Sequence, residues 1–311
     1  MRAVVVRSFG GPEALETVEV PVPTTGAGQV RIRVEAAAVN PVDAVTRSGQ
    51  LAAAGLMAPR DVTGIGWDVA GVVDKAGAGV TAFVPGDRVT GLRDRLDVSL
   101  GTYAEYVVLD AAAVAPAPSG VLPAEAATLP LGGLTALQAL DALALEPGST
   151  LLVTGAAGAV GGFTVELAAQ RGIHVVASAG TGDEDFVRTV GARWFVPRSD
   201  GLADRVRELV PQGVDAVADA AVTGVRALGA VRNRGAFVSV VAGAAPFPLR
   251  GISVTEHWVA ADGAGLARLS DLAGSGRLTL RVADTMPLAE AARAHRRLAE
   301  GGMRGRLVLV P

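Results

Sequence analysis

The chain reads as an α/β protein in two parts, a small irregular β-barrel followed by a doubly wound parallel sheet. Three observations predict this. Residues 1–110 are short Val-rich runs broken by Gly, Pro and Asp; from Pro123 onward, apolar runs of strand length alternate with helical stretches; and a glycine-spaced turn joins the first of those runs to a helix. At roughly 150 residues per domain, the 311 residues suit two domains, each able to bury a core.

In the first part, Ala3–Arg7, Gln29–Val39, Asp68–Lys75, Asp87–Gly91 and Ala104–Leu109 are predicted strands. Gly77-Ala-Gly79, Pro85-Gly-Asp87 and Pro21-x-Pro23 supply the turns between them. Ala111–Pro123 is Ala/Pro-rich and reads as a connection. Ala124–Leu145 is helical, with a break expected at Pro130 and Gly132-Gly133. Thr150–Thr154, Val175–Ser178, Trp194–Val196, Val214–Ala218 and Ala236–Val241 are continuous apolar runs, the pattern of parallel strands covered on both faces. Asp183–Val190 and Leu202–Leu209 are amphipathic and lie between them. A last helix, Leu288–Glu300, precedes a strand, Arg306–Val310, that is expected to return to the barrel. The expected domains are 1–120, completed by about 285–311, and 121–284.

Composition removes several chemistries. There is no cysteine, so disulfides, iron–sulfur clusters, thiol nucleophiles and Cys-ligated zinc are excluded. The three histidines, His174, His257 and His295, stand at no metal-ligand spacing, and no metal site is expected. The single lysine, Lys75, belongs neither to a Walker A loop nor to a Tyr-x-x-x-Lys pair. A net charge of −3 and 4% aromatic residues argue against nucleic acid as a partner. The longest uncharged run, Pro147–Val165, carries five glycines and reads as strand, loop and helix start rather than a membrane span. The opening MRAVVVRSFG has no signal-peptide h-region, and the expectation is a soluble, cytoplasmic protein without membrane insertion.

Residues 151–169, LLVTGAAGAVGGFTVELAA, carry the most informative motif. A strand ending at Thr154 runs into Gly155-Ala156-x-Gly158-Ala159-Val160-Gly161, and a helix follows. Glycines allow the tight turn and a close backbone approach to a pyrophosphate, while the helix N-terminus offers N–H groups and partial positive charge. The competing reading is a tight turn without ligand. The second strand ends Ser178-Ala179-Gly180-Thr181, without the acid that usually holds the ribose of NAD. Small hydroxylic residues leave room for a 2′-phosphate, and Arg198 after the third strand could pair with it, or could be a surface charge. NADPH is therefore the expected cofactor.

Asn40-Pro-Val-Asp43, Gly66-Trp-Asp68-Val-Ala-Gly71, Pro85-Gly-Asp87-Arg-Val, Gly101-Thr-Tyr-Ala-Glu-Tyr106, Ala127-Thr-Leu-Pro-Leu-Gly-Gly-Leu-Thr135-Ala and the C-terminal Gly301-Gly-Met-Arg-Gly-Arg-Leu-Val-Leu-Val310 follow one another in order. Together they resemble the medium-chain dehydrogenase/reductases, over nearly the whole chain and closest to the zinc-free quinone oxidoreductase branch. The resemblance implies a GroES-like barrel domain, a Rossmann domain, an NADPH site and a homodimer. It also implies that Thr135 approaches the nicotinamide ribose phosphates, that Val241-Ala242-Gly243 offers backbone to the carboxamide, and that Arg304 reaches the cofactor. Thr135 could equally bond a preceding helix carbonyl, and Arg304 could be a surface charge. Where zinc-dependent relatives carry Cys near 40 and His near 66, this chain has Asn40 and Gly66-Trp67.

Without a Lewis acid, alcohol oxidation loses its usual driver, whereas hydride transfer to a conjugated acceptor needs less help. The expected reaction is reduction of a small-molecule quinone or enone by NADPH. The alternatives are a trans-acting enoyl reductase on a thioester intermediate and a non-catalytic NADPH-binding protein. Asn40 and Asp43 are the candidate catalytic residues. They also read as a helix start, with Asn40 at the N-cap, Pro41 at N1 and Asp43 near N3. Tyr103 and Tyr106 lie in strand-like sequence, where packing is the expected role.

Overall fold

A computed structural model of the chain describes every residue except 59. It divides into two compact units. The first comprises Met1–Leu131, Ala261–Gly276 and Leu280–Pro311; the second comprises Gly132–Ala260 and Arg277–Thr279.

The first unit is built on β-structure. Its longest strand, Gln29–Val39, is antiparallel to Asp68–Ala76, to Tyr106–Asp110 and to Arg306–Val310. Asp68–Ala76 carries Arg88–Leu92 on its other side, and that strand carries Val114–Pro116. Val282–Pro287 runs parallel to Arg306–Val310 at the opposite edge. Arg2–Val6, Glu16–Glu19 and Thr63–Gly64 form a separate three-stranded sheet. The C-terminal strand does return to this β-structure, with Leu307 opposite Val39. Alternate residues of these strands, among them Val30, Ile32, Val34, Val69, Val89, Val107 and Leu309, turn inward to one apolar core, as a period-2 pattern requires.

In the second unit, six strands are parallel: Thr150–Thr154, His174–Ala179, Trp194–Pro197, Val214–Asp219, Val231–Ser239 and Ser253–Glu256. Numbered along the chain, their spatial order is 3-2-1-4-5-6, the arrangement of dinucleotide-binding Rossmann sheets. The strand order reverses between Thr150–Thr154 and Val214–Asp219, and in open parallel sheets ligands bind at the carboxyl ends of the strands flanking such a reversal. No described helix is long and apolar enough to cross a membrane.

Two expectations change in detail. The break in the 124–145 stretch falls at 127–129: one helix covers Pro123–Ala126 and the next, Pro130–Leu143, runs straight through Gly132 and Gly133. Proline is favoured at the first turn of a helix, where its missing N–H costs nothing, so Pro130 starts the helix instead of breaking it. The fifth parallel strand ends at Ser239, and Val241 lies beyond it in a turn closed by Ala244 N donating to Val241 O at 3.2 Å.

Candidate active site

The glycine turn has a conformation that its sequence enforces. Gly155 has φ +60°, a region glycine enters without penalty. A Cβ there would sit 3.1 Å from Ala220 O and from Ala221 Cβ. At Gly161 a Cβ would meet Gly155 O at 2.1 Å, so only glycine lets the helix Ala159–Gln170 start this close to the turn. Gly158 stands at the N-cap and is exposed, with Ala159 and Val160 half-buried after it and Ala156 buried before it. Glycines at 155, 158 and 161 thus keep the turn close to the helix N-terminus, where the first N–H groups of a helix lack intrahelical partners. This glycine cradle fits a dinucleotide's pyrophosphate.

Asp219, which no sequence motif marks, shapes the wall beside it. It ends the fourth strand and is fully buried. Its carboxylate takes the Thr154 hydroxyl and the N–H groups of Ala221, Thr223 and Gly224, at 3.2, 3.0 and 2.7 Å for the three amides. One side chain thus ties the end of the first strand to the loop that packs on Gly155. The signal available in sequence was an acid ending an otherwise apolar strand.

Two residues next along the carboxyl edge come together. Arg198 N donates to Ala179 O at 2.8 Å, which brings the exposed Arg198 beside the end of the second strand, where Ser178 is buried and Thr181 exposed. Val241, Ala242 and Gly243 form an exposed turn after the fifth strand; Gly243 has φ +73° and donates its N–H to Glu256 Oε2 at 2.7 Å. Thr135 is buried in the helix Pro130–Leu143.

In the first unit the residues anticipated as catalytic lie in a buried polar cluster. Asn40 is the N-cap of the helix Pro41–Arg47, and Asp43 is its N3 residue. Asp43 Oδ2 accepts from Asn40 N at 2.7 Å and from the Tyr103 hydroxyl at 3.0 Å. The Asn40 amide Nδ2 donates to Asp68 Oδ2 at 2.8 Å, while Asp68 Oδ1 accepts from Leu131 N at 2.7 Å. Asn40 Oδ1 and Asp43 Oδ1 are buried without partners. Behind Tyr103 stands His295, its Nε2 3.4 Å from the phenol oxygen and its Nδ1 2.9 Å from Arg47 Nη1.

Burial dominates the electrostatics of this cluster. It lifts Asp43 to about 7, with Asp68 adding and the bonds from Asn40 and Tyr103 opposing, and it lifts Asp68 to about 6. His295 is pushed down to about 4 by burial and by the charge of Arg47. The buried Arg306 acts on both carboxyls and lowers each. Tyr103 is thus more than packing, and His295 joins it; neither role is visible in local sequence. Arg304 is exposed and folds back on its own loop, with Nη1 donating to Gly302 O at 3.1 Å.

Compared with known proteins, the chain matches the alcohol dehydrogenase GroES-like domain over residues 26–119 and the zinc-binding dehydrogenase family over residues 190–309. A mycobacterial quinone oxidoreductase structure superimposes with a TM-score of 0.82 at 31% identity, with all of both chains covered. The chain belongs to the quinone oxidoreductase branch of the medium-chain dehydrogenase/reductase family. Among its relatives, a chloroplast envelope quinone oxidoreductase homolog of Arabidopsis thaliana is 39% identical over 62% of this chain and 59% of its own length. The NADPH-dependent alkenal/one oxidoreductase of the same plant is 30% identical over all of this chain and 80% of its own length. The chain thus spans about three-fifths of the chloroplast quinone oxidoreductase homolog. The zinc named in one family description does not fit here: the chain has no cysteine, and no three His, Asp or Glu side chains among the described residues gather into a metal site.

Proposed function

We propose that this protein is an NADPH-dependent, zinc-independent reductase that passes hydride to a quinone or to the β-carbon of an α,β-unsaturated carbonyl. The observation that carries the reading is the close-packed glycine turn at the reversal of a 3-2-1-4-5-6 parallel sheet, in a chain without zinc ligands. When bound there, the nicotinamide supplies the hydride. Gly155, Ala156, Gly158, Ala159, Val160 and Gly161 would hold the pyrophosphate, Val241–Gly243 the carboxamide, and Thr135 and Arg304 the remaining cofactor polar groups. Ser178, Thr181 and Arg198 would take the 2′-phosphate: the second strand ends without an acid, and Arg198 joins that strand's end through its backbone N–H on Ala179 O. The names of the quinone and alkenal/one oxidoreductase relatives support the same acceptor class.

The test is spectrophotometric: NADPH or NADH is mixed with the protein and a panel of quinones and enones, and cofactor oxidation is followed. Turnover with NADPH in clear preference to NADH is expected. Oxidation of neither cofactor by any acceptor refutes the reading, and turnover of enoyl thioesters alone moves it to an enoyl reductase.

A homodimer belongs to the same proposal. Ser253–Glu256 is an edge strand of the sheet, and in the chain on either side of it Phe247 is 89% exposed, with Leu249 and Trp258 also exposed. An edge strand flanked along the chain by exposed apolar side chains suits pairing with a second copy. Light scattering should give twice the chain mass, and Phe247→Asp should shift it toward monomer.

A further inference from the structure

Among the buried polar atoms without partners in the described residues of the first unit, four belong to residues linked by strand pairing and hydrogen bonds. They are Asp43 Oδ1, Trp67 Nε1, Arg93 Nε and Thr102 Oγ1. Arg93 N donates to Trp67 O at 2.8 Å and so extends the antiparallel pairing that sets Asp68 opposite Leu92. The two side chains therefore leave neighbouring strands at facing positions. Thr102 N donates to Gly66 O at 3.2 Å, and Tyr103, the next residue, reaches Asp43. Arg93 lies within electrostatic reach of the Asp43 carboxylate when that group is ionised. A buried donor without a partner is costly, so a group of them marks a place arranged for an acceptor.

We propose that Asp43, Trp67 and Arg93 form a donor site for the carbonyl oxygen of the acceptor molecule, with Tyr103 and His295 as positioning residues that fix which oxygen of Asp43 carries its proton. The proposal rests on the reductase reading above and specifies its substrate: an acceptor whose oxygen gains negative charge as it is reduced.

The direction of each hydrogen bond behind Asp43 is determined. Arg47 remains protonated and can only donate, so His295 Nδ1 accepts and the ring hydrogen lies on Nε2, facing the Tyr103 oxygen. The Tyr103 hydroxyl then donates to Asp43 Oδ2, which also takes Asn40 N. With two donors already on Oδ2, the carboxyl proton resides on Oδ1, the oxygen with no internal partner. Full burial raises Asp43 to about 7, against the lowering effects of Asn40, Tyr103 and Arg306. With Asp68 and Arg93, these are the charged and titratable groups that face it. Asp43 is thus a protonated acid up to neutral pH.

Hydride gain at the β-carbon of an enone moves its π electrons onto oxygen as an enolate. The N–H groups of Trp67 and Arg93 hold that charge, as donors aimed at a developing oxyanion do. The Asp43 Oδ1 proton passes to the enolate oxygen, the resulting enol tautomerises in water, and the Asp43 carboxylate recovers a proton from solvent once product has left.

The experiment compares wild type with Trp67→Phe, Arg93→Met and Tyr103→Phe, with Arg93→Lys in reserve should Arg93→Met not fold. Each is titrated with 4-nitrophenol in the presence of NADP⁺, since absorbance separates phenolate from phenol, and assayed with NADPH and cyclohexenone across pH. Wild type is expected to bind the phenolate at least about tenfold more tightly than Trp67→Phe and Arg93→Met. Those two variants are expected to lose about 10²-fold in kcat with unchanged NADPH affinity. Tyr103→Phe removes a bond that favours the Asp43 carboxylate, and so shifts the pH at which kcat falls upward, which loss of packing alone would not do. Phenolate affinities equal to wild type in Trp67→Phe and Arg93→Met overturn the donor site, whether or not any acceptor is reduced. Normal phenolate discrimination without turnover of any acceptor would keep the site and overturn the reductase reading.

Discussion

Replacing Asp43 with asparagine should change how stability depends on pH. The Asp43 carboxyl is fully buried and raised from 3.8 to about 7. The folded protein therefore holds a proton that the unfolded chain has released, and stability falls as pH rises through the interval between the two values. The full cost is reached above about 7 and is absent below about 3.8. A displacement of about three pH units corresponds to about 4 kcal/mol, of which about 2–3 kcal/mol accrues between about pH 5 and about pH 8. The substituted amide keeps an oxygen to accept from Asn40 N and from Tyr103, and it has no charge to bury. Urea unfolding of both proteins at pH 5, 6, 7 and 8 measures the difference directly. Asp43→Asn should gain on wild type by about 2–3 kcal/mol across that range. Parallel stability curves would refute the argument, because they would mean that Asp43 ionises in the folded protein as it does in the unfolded chain.

Three further outcomes are expected. Arg198→Ala should weaken NADPH about 10–100-fold, the worth of a charge-assisted phosphate contact, and leave NADH unchanged in steady-state KM. Gly161→Ala places a Cβ 2.1 Å from Gly155 O and should lower stability by about 1–3 kcal/mol or more. Fluorescence titration should show NADPH affinity falling with it. Asp219→Asn puts an amide N–H among four donors that now meet a carboxylate, so thermal melting should detect a loss of about 2 kcal/mol and NADPH titration a weaker site.

Much of the fold was legible because its cause is local. The strands Gln29–Val39, Thr150–Thr154 and Arg306–Val310 and the helix Leu202–Leu209 have the bounds their hydrophobic periods indicate. The strands Glu16–Glu19, Ser253–Glu256 and Val282–Pro287 and the helix Gly263–Gly274 were not legible. Those three edge strands are largely exposed, so no apolar run announces them. The glycine helix start at 263 is set by close approach instead, since a Cβ there would meet Val114 O at 2.6 Å.

By itself the sequence determined the glycine turn, the Asn40–Asp43 helix start and the absence of zinc ligands. Each depends on residues within a few positions of one another, or on composition alone. Only the tertiary structure decided that Tyr103 and His295 stand behind Asp43, that Arg93 faces Trp67, and that Asp219 ties two strand ends together. Tyr103 and His295 are separated by 192 residues and meet only in the folded core. A buried polar side chain takes its partner from whatever the strand pairing brings within hydrogen-bond reach, and no local period in the sequence encodes that choice.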